Sequence, residues 1–216
     1  MILIEVPVHD LAVRAAAWFE QELGRIIDER GQCHLAVSGG RSPWAAFDRL
    51  ADATLPWSEV HLWQVDERIA PDGDPVRNAV GLARTLGRTT ARIHLMDVTA
   101  GDPAAAAADY AAKLGDRCGG VLDLVHLGLG DDGHTASWPP GDPVIDVDDR
   151  DVAVSEPYQG TRRITLTVPC VNRARQRVFL VGADKADPAA MLMDGDPTIP
   201  ASRVTGGGTT IVRGIG

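Results

Sequence analysis

The stretch GLGDDGHTASWPPG, residues 128–141, admits two readings that lead to different folds and chemistries. Gly128, Gly130 and Gly133 fit the G-x-G-x-x-G spacing of a dinucleotide-binding turn. Such a turn joins a strand to a helix, with an acidic residue about 20 positions further on for the ribose. The strand is available in DLVHLGL (123–129), but Pro139, Pro140 and Pro143 leave room for only a turn or two of helix. Asp151 lies near the required offset, yet it belongs to a run with Asp146, Asp148 and Asp149 that reads as a solvated loop. The second reading is a glycine-rich turn whose backbone approaches a ligand closely and presents His134 beside Asp131 and Asp132. An imidazole, with an unperturbed pKa of about 6.5, is the usual general base near neutral pH. The prolines favour the second reading.

Outward from this turn, apolar strands alternate with helical segments. ILIEV (2–6), CHLAV (33–37), VHLWQV (60–65), RIHLM (92–96), DLVHLGL and RVFLV read as strands, as do DVAVS (151–155), RITLTV (163–168) and TTIV (209–212). Residues 10–29 read as a helix with Leu11, Ala15, Trp18, Phe19, Leu23, Ile26 and Ile27 on one face and Gly31 just beyond. Helices are also expected over WAAFDRLA, over roughly 75–86, over 103–115 with Gly115 as the stop, and over roughly 186–193. DERIAPDGD reads as a loop. The alternation predicts an α/β fold, a mostly parallel sheet with helices on both faces, as a single domain over residues 1–216.

Composition narrows the partners. Hydrophobic residues make up 44% and charged residues 24%, as in an ordinary globular chain. The net charge of −9 disfavours nucleic acid and anionic membrane surfaces. No apolar run approaches the roughly 20 residues of a membrane helix. MILIEVPVHD has no basic leader and reads as a strand. Cys33, Cys118 and Cys170 form no CxxC pair, so buried free thiols and a cytoplasmic location are expected. A monomer or weak homo-oligomer is expected. No histidine lies at metal-ligand spacing, so no metal is expected; His34, His61, His94 and His126 fall inside strands, where packing or edge exposure is the default.

In a parallel sheet, ligands bind at the carboxyl ends of the strands. Four unusual loops leave strands that would share such an edge. SGGRSP (38–43) offers Ser38 and a Gly39–Gly40 turn, with Ser42 suited to a helix N-cap and Pro43 to the first helical position. DER (66–68) offers Asp66 for hydroxyls and Arg68 for a bidentate anion clamp. GDDGH offers Gly130, Asp132 and His134, and GADK (182–185) offers Lys185. Each alone also reads as an ordinary turn or solvated charge cluster; their convergence is what suggests a site. Either Arg162 or Arg163 adds positive charge, but Arg163 begins its strand and reaches the shared edge only if that strand runs antiparallel or enters from the side.

These segments, in this order, resemble the 6-phosphogluconolactonase family. The resemblance rests on VSGGRSP (37–43), VDERIAP (65–71) with Asn78, LGLGDDGHTAS (127–137) with Pro140–Gly141, RITLT (163–167), and VGADKA (181–186) with IPASRV (199–204). It implies a Rossmann-like fold shared with glucosamine-6-phosphate deaminases and ribose-5-phosphate isomerases. It implies hydrolysis of 6-phospho-D-glucono-1,5-lactone, a phosphorylated sugar lactone, to 6-phosphogluconate in the oxidative pentose phosphate pathway, with no metal or organic cofactor. The family's general base maps onto His134, and its phosphate and sugar contacts onto Gly39–Gly40, Arg68, Arg163 and Lys185. His134 would then take a proton from water and return it to the ring oxygen, oriented by Asp132 or alternatively Asp131, with N–H groups near Gly130 or Gly40 receiving the oxyanion. Departures are Trp138–Pro139 in place of Leu-Phe, Arg77 before Asn78, and EPYQGTR without the usual proline run. Two other readings remain: an amino-sugar phosphate deaminase, whose usual GHIAFNEPG this chain replaces with GHTASWPPG, and a sugar-phosphate sensor without turnover.

Overall fold

Cys33–Val37, Val60–Gln64 and Leu124–Leu127 are buried along their whole length, so the sheet that they share must be covered on both faces. The computed structural model describes residues 1–216. Its first half contains β1 (Ile2–Pro7), α1 (Leu11–Arg30), β2 (Cys33–Val37), α2 (Arg41–Leu50), β3 (Val60–Gln64), β4 (Asp66–Arg68), α3 (Asn78–Thr85), β5 (Arg92–His94) and α4 (Pro103–Cys118). The second half contains β6 (Leu124–Leu127), β7 (Val152–Val154), β8 (Arg163–Leu166), α5 (Val168–Arg173), β9 (Gln176–Val181), α6 (Ala186–Asp194) and β10 (Thr209–Ile215).

Seven strands form one parallel sheet in the order β1-β10-β9-β6-β2-β3-β5. Successive side chains alternate between its faces. Leu35, Val37, Leu62 and Leu124 meet α1, α2 and α3 through Phe19, Phe47 and Leu82. Ala36, Trp63, Val125 and Leu127 meet α4 and α6 through Tyr110, Leu114 and Leu192. The expected mostly parallel α/β sheet with helices on both faces is the observed architecture. β1 lies at its rim, paired only with β10 from Ile2↔Thr210 to Pro7↔Ile215, and leaves Ile2 and Leu3 exposed.

Local chemistry moves several expected boundaries. The apolar face of α1 is buried as expected except for Trp18, which is half-buried at its border, and the helix ends on Gly31 at φ 79°. α4 does not stop at Gly115: it continues one turn to Cys118 and ends at Gly119, whose left-handed backbone (φ 62°) lets its N–H reach the Gly115 carbonyl. Nothing crowds Gly115, so the helix carries it as an ordinary interior residue.

The larger departure is that DER is not a loop. Asp66–Arg68 pairs antiparallel with β8, which pairs antiparallel with β7, in a second, three-stranded sheet. One buried side chain holds this junction. The Glu67 carboxylate is inaccessible to solvent and accepts from Gln64 Nε2 (2.8 Å), Arg68 N (2.8 Å), Asn78 N (2.7 Å) and Ala79 N (2.8 Å). It thereby ties the end of β3, the backbone of β4 and the first N–H groups of α3 together. This also explains why α3 begins at Asn78, later than its apolar pattern suggests.

The strand histidines are packed, not solvated. Trp63 stacks on His94 (centroids 3.9 Å apart) and donates from Nε1 to His34 Nδ1 at 3.2 Å. His126 is fully buried between Phe19 and Phe47, and its Nδ1 accepts the Ser38 N–H at 3.2 Å. Burial pushes the His126 pKa down to about 3. The three cysteines are free, Cys33 and Cys170 buried and Cys118 half-buried, and no helix is long and apolar enough to cross a membrane.

Two predictions follow from these buried groups. Glu67→Gln sets an amide N–H against N–H donors and should cost about 2–4 kcal/mol, read as a lower urea midpoint at unchanged slope. His126 has a folded-state pKa below the unfolded value of about 6.5, so the unfolded chain binds the extra proton. Its contribution is complete above pH ~6.5 and is lost as pH falls toward ~3. Between pH ~6 and ~5 the native protein should lose about 1 kcal/mol more stability than His126→Gln, measured by urea unfolding at each pH.

Candidate active site

Because β2, β6 and β9 run parallel, the chain leaves all three at the same edge of the sheet. The three loops that follow border a cleft of about 400 Å³, with β4 and the start of β8 forming its remaining wall. Only 4 of its 24 lining residues are hydrophobic, so it suits a polar ligand. All of the residues expected from sequence reach it: Ser38, Gly39, Gly40, Asp66, Arg68, Gly130, Asp132, His134, Arg163 and Lys185. Arg163 rather than Arg162 enters, because β8 runs antiparallel to β4 and sets Arg163 directly opposite Arg68. Arg162 instead donates to the Ser155 carbonyl at 3.3 Å.

The turn after β6 explains its glycines. A Cβ on Gly130 would lie 2.1 Å from His134 Nδ1, so only glycine lets the imidazole fold back over the turn. The Gly130 N–H donates to the His134 carbonyl at 2.8 Å and closes that loop. His134 Nδ1 and Asp132 Oδ1 are 2.6 Å apart, and the Asp132 carboxylate also receives the His134 backbone N–H at 3.2 Å. Burial opposes ionisation of Asp132, but hydrogen bonds from His134 and from the Tyr158 hydroxyl (2.8 Å) together hold its pKa below the usual carboxylate value. An ionised carboxylate only accepts, so Nδ1 carries a proton, and in the neutral ring the lone pair is then on Nε2. Asp131, the alternative partner, is drawn off by the Lys185 ammonium.

The β2 loop differs in detail from expectation. α2 is not capped by Ser42 with Pro43 at its first position. It starts two residues earlier, at Arg41, with Gly40 as N-cap at φ 142° and Trp44 N–H bonded to the Gly40 carbonyl at 3.1 Å. Glycine alone adopts that backbone readily, and it brings the free N–H groups of the first turn to the cleft edge. Ser38, nine-tenths buried, has no hydrogen-bond partner for its Oγ.

Two of the cleft's cations, Arg68 and Arg163, are held apart from counter-ions, unlike Lys185. Arg68 bonds to Asn78 Oδ1 and to the Val76 carbonyl, with no carboxylate partner. Arg163 is buried; its Nε has no partner, and NH2 reaches only Gln159 Oε1 at 3.4 Å. Burial pulls the Arg163 pKa down; Asp66 opposes that shift and Arg68 adds to it. Asp66 cannot neutralise both, since its Oδ2 accepts from Ser137 Oγ at 2.7 Å and its Oδ1 from Asn78 Nδ2 at 3.3 Å. Like charges opposite each other in an antiparallel pair are unfavourable, and an external anion would relieve them.

Some lining residues escaped the sequence reading. Tyr158 and Gln159 enter from the turn before β8, and Arg41 and Asp184 stand at the mouth. Ala136 and Gln159, the only non-glycine residues with positive φ (50° each), both line the cleft, each at a cost of about 1 kcal/mol. The one sequence cue for Tyr158 was Gln159–Gly160, a tight-turn signal immediately upstream of Arg163.

Comparison with known proteins bears on family and fold. Residues 8–212 match the family described as glucosamine-6-phosphate isomerases/6-phosphogluconolactonase. The 6-phosphogluconolactonase of Synechocystis sp. is 38% identical over 186 residues, 81% of this chain and 77% of its own. The GDH/6PGL endoplasmic bifunctional protein of Homo sapiens is 37% identical over 83% of this chain, which spans only 24% of that longer protein. In fold, the crystal structure of 6-phosphogluconolactonase from Thermotoga maritima is similar with a TM-score of 0.89 at 22% identity, covering 98% of each chain. By sequence over nearly its whole length, the chain belongs to the glucosamine-6-phosphate isomerase/6-phosphogluconolactonase family.

Proposed function

We propose that this chain is a 6-phosphogluconolactonase, hydrolysing 6-phospho-D-glucono-1,5-lactone to 6-phosphogluconate with His134 as general base. The observation that carries the reading is an imidazole with a free Nε2, oriented by Asp132, in one polar cleft with two guanidinium groups that lack carboxylate partners. The names of the relatives support the substrate.

The chemistry needs little more. Water adds to the lactone carbonyl carbon while His134 Nε2 takes its proton. The imidazolium then returns a proton to the ring oxygen as the acyl C–O bond breaks, leaving a carboxylic acid that ionises. Asp132 stabilises the imidazolium and keeps the ring in the productive tautomer. Arg68, Arg163 and Lys185 receive the phosphate, so binding at a remote group positions the carbonyl against the water. Ser38 Oγ and the Gly39–Gly40 backbone supply polar contacts to the sugar. The activity suits the oxidative pentose phosphate pathway, and the free thiols suit a reducing cytoplasm.

His134→Ala should lower kcat by about 10²–10⁴-fold with little change in KM, in a lactone assay corrected for spontaneous hydrolysis; near-native turnover would remove His134 from the mechanism. Arg163→Ala should raise KM roughly ten- to a hundredfold, the worth of a charged hydrogen bond, and the same variant should discriminate less against a lactone lacking the phosphate. Ammonia release from glucosamine 6-phosphate by the native protein, without lactone hydrolysis, would overturn the assignment.

A further inference from the structure

Tyr158 stands where three parts of the cleft meet. A two-residue hairpin holds it: Tyr158 N–H donates to the Thr161 carbonyl at 3.0 Å and Thr161 N–H returns the bond at 3.3 Å. Between them Gln159 and Gly160 take φ of 50° and 84°, the paired positive values of a tight hairpin turn. From this rigid base the Tyr158 hydroxyl donates to Asp132 Oδ2 at 2.8 Å, while His134 occupies Oδ1 of the same carboxylate. The ring meets the His134 imidazole edge-on, with centroids 5.4 Å apart. The Arg163 guanidinium lies over the ring, 5.2 Å from its centre, within cation–π range.

We infer that Tyr158 is a positioning residue that fastens Arg163 and the Asp132–His134 pair to one hairpin, so that the anion-holding and proton-transferring sides of the cleft keep a fixed relation. The inference rests on the lactonase reading for its kinetic consequences. Asp132 belongs to a turn and is one-third exposed, so His134 alone leaves its second oxygen free to swing into water. A donor on Oδ2 fixes the carboxylate plane and, through it, the imidazole. The same donor favours the ionised carboxylate, which accepts the Nδ1 proton. The titratable and charged groups around Asp132 are His134 and Asp131 on its own turn, Arg163 of β8 across the Tyr158 ring, and Lys185 after β9, which pairs with Asp131.

The hydroxyl and the ring can be separated. Tyr158→Phe keeps both ring contacts and removes the donor to Asp132; Tyr158→Leu removes both. Tyr158→Phe should lower kcat about three- to tenfold with KM within about twofold, the worth of one hydrogen bond. It should also move the Asp132 titration, followed by carboxyl ¹³C NMR and assigned through Asp132→Asn, upward by about half a pH unit or more. Tyr158→Leu should in addition raise KM at least about threefold, because Arg163 loses its platform. A Tyr158→Phe protein with native kcat and an unmoved Asp132 titration overturns the inference, as does a folded Tyr158→Leu protein with native KM. If the native protein does not hydrolyse the lactone, the proposed function fails; the Asp132 titration, which needs no substrate, still decides whether Tyr158 holds that carboxylate.

Discussion

The site depends on one buried carboxylate that never touches it. Glu67 gathers four N–H groups, from Gln64, Arg68, Asn78 and Ala79, and so makes the chain leave the large sheet and enter the small one at a fixed angle. Unpaired, those donors would each cost about 1–3 kcal/mol in a dry interior. With Glu67 in place, Asn78 is set to accept from Arg68 and to donate to Asp66, and Asp66 to receive Ser137. A structural anchor on one side of β4 thus orients the polar groups that the other side shows to the cleft.

Charge is distributed to the same end. The chain carries a net −9, and its surface arginines mostly find carboxylates, as Arg25 does with Glu22 and Glu29 and Arg88 with Asp48 and Asp52. Of the buried arginines, Arg77 pairs with Asp72 and Glu67, and Arg177 donates to the carbonyls of Asn172 and Ala174. Arg163 alone among them has neither. In an acidic protein, a buried cation opposite a second cation is an arrangement that a negative ligand would stabilise.

Much of this was legible beforehand. Apolar runs such as CHLAV and VHLWQ are short, bounded by turn residues and separated by helical periodicity, so strand, helix and parallel order could be argued from pattern alone. The meeting of four segments at one edge then followed from chain direction, although only three of them are loops. What escaped was non-periodic. Asp66–Arg68 is three residues long and charged, and becomes a strand only because β8 and Glu67 are there to pair it. Gly115 looked like a helix stop because its neighbour Gly119, the residue actually in the left-handed conformation, is four positions on. Tyr158 carried only the cue of the Gln159–Gly160 turn beside it, since its contact with Asp132 arises from a hairpin that folds it back. Gly40 as cap instead of Ser42 reflects a backbone angle that residue identity does not announce.

The strand order also governs how the molecule is made. β1 precedes the other nine strands in the chain, yet its sole partner is β10, with Ile2 waiting for Thr210. Until β10 is made, therefore, the segment Ile2–Val6 has no sheet to join, while β2 and β3 can pair as soon as both have emerged. The rim that carries β1 cannot close before β10 has been made, and until then β1 leaves a strand edge open to chaperones and to other unfinished copies.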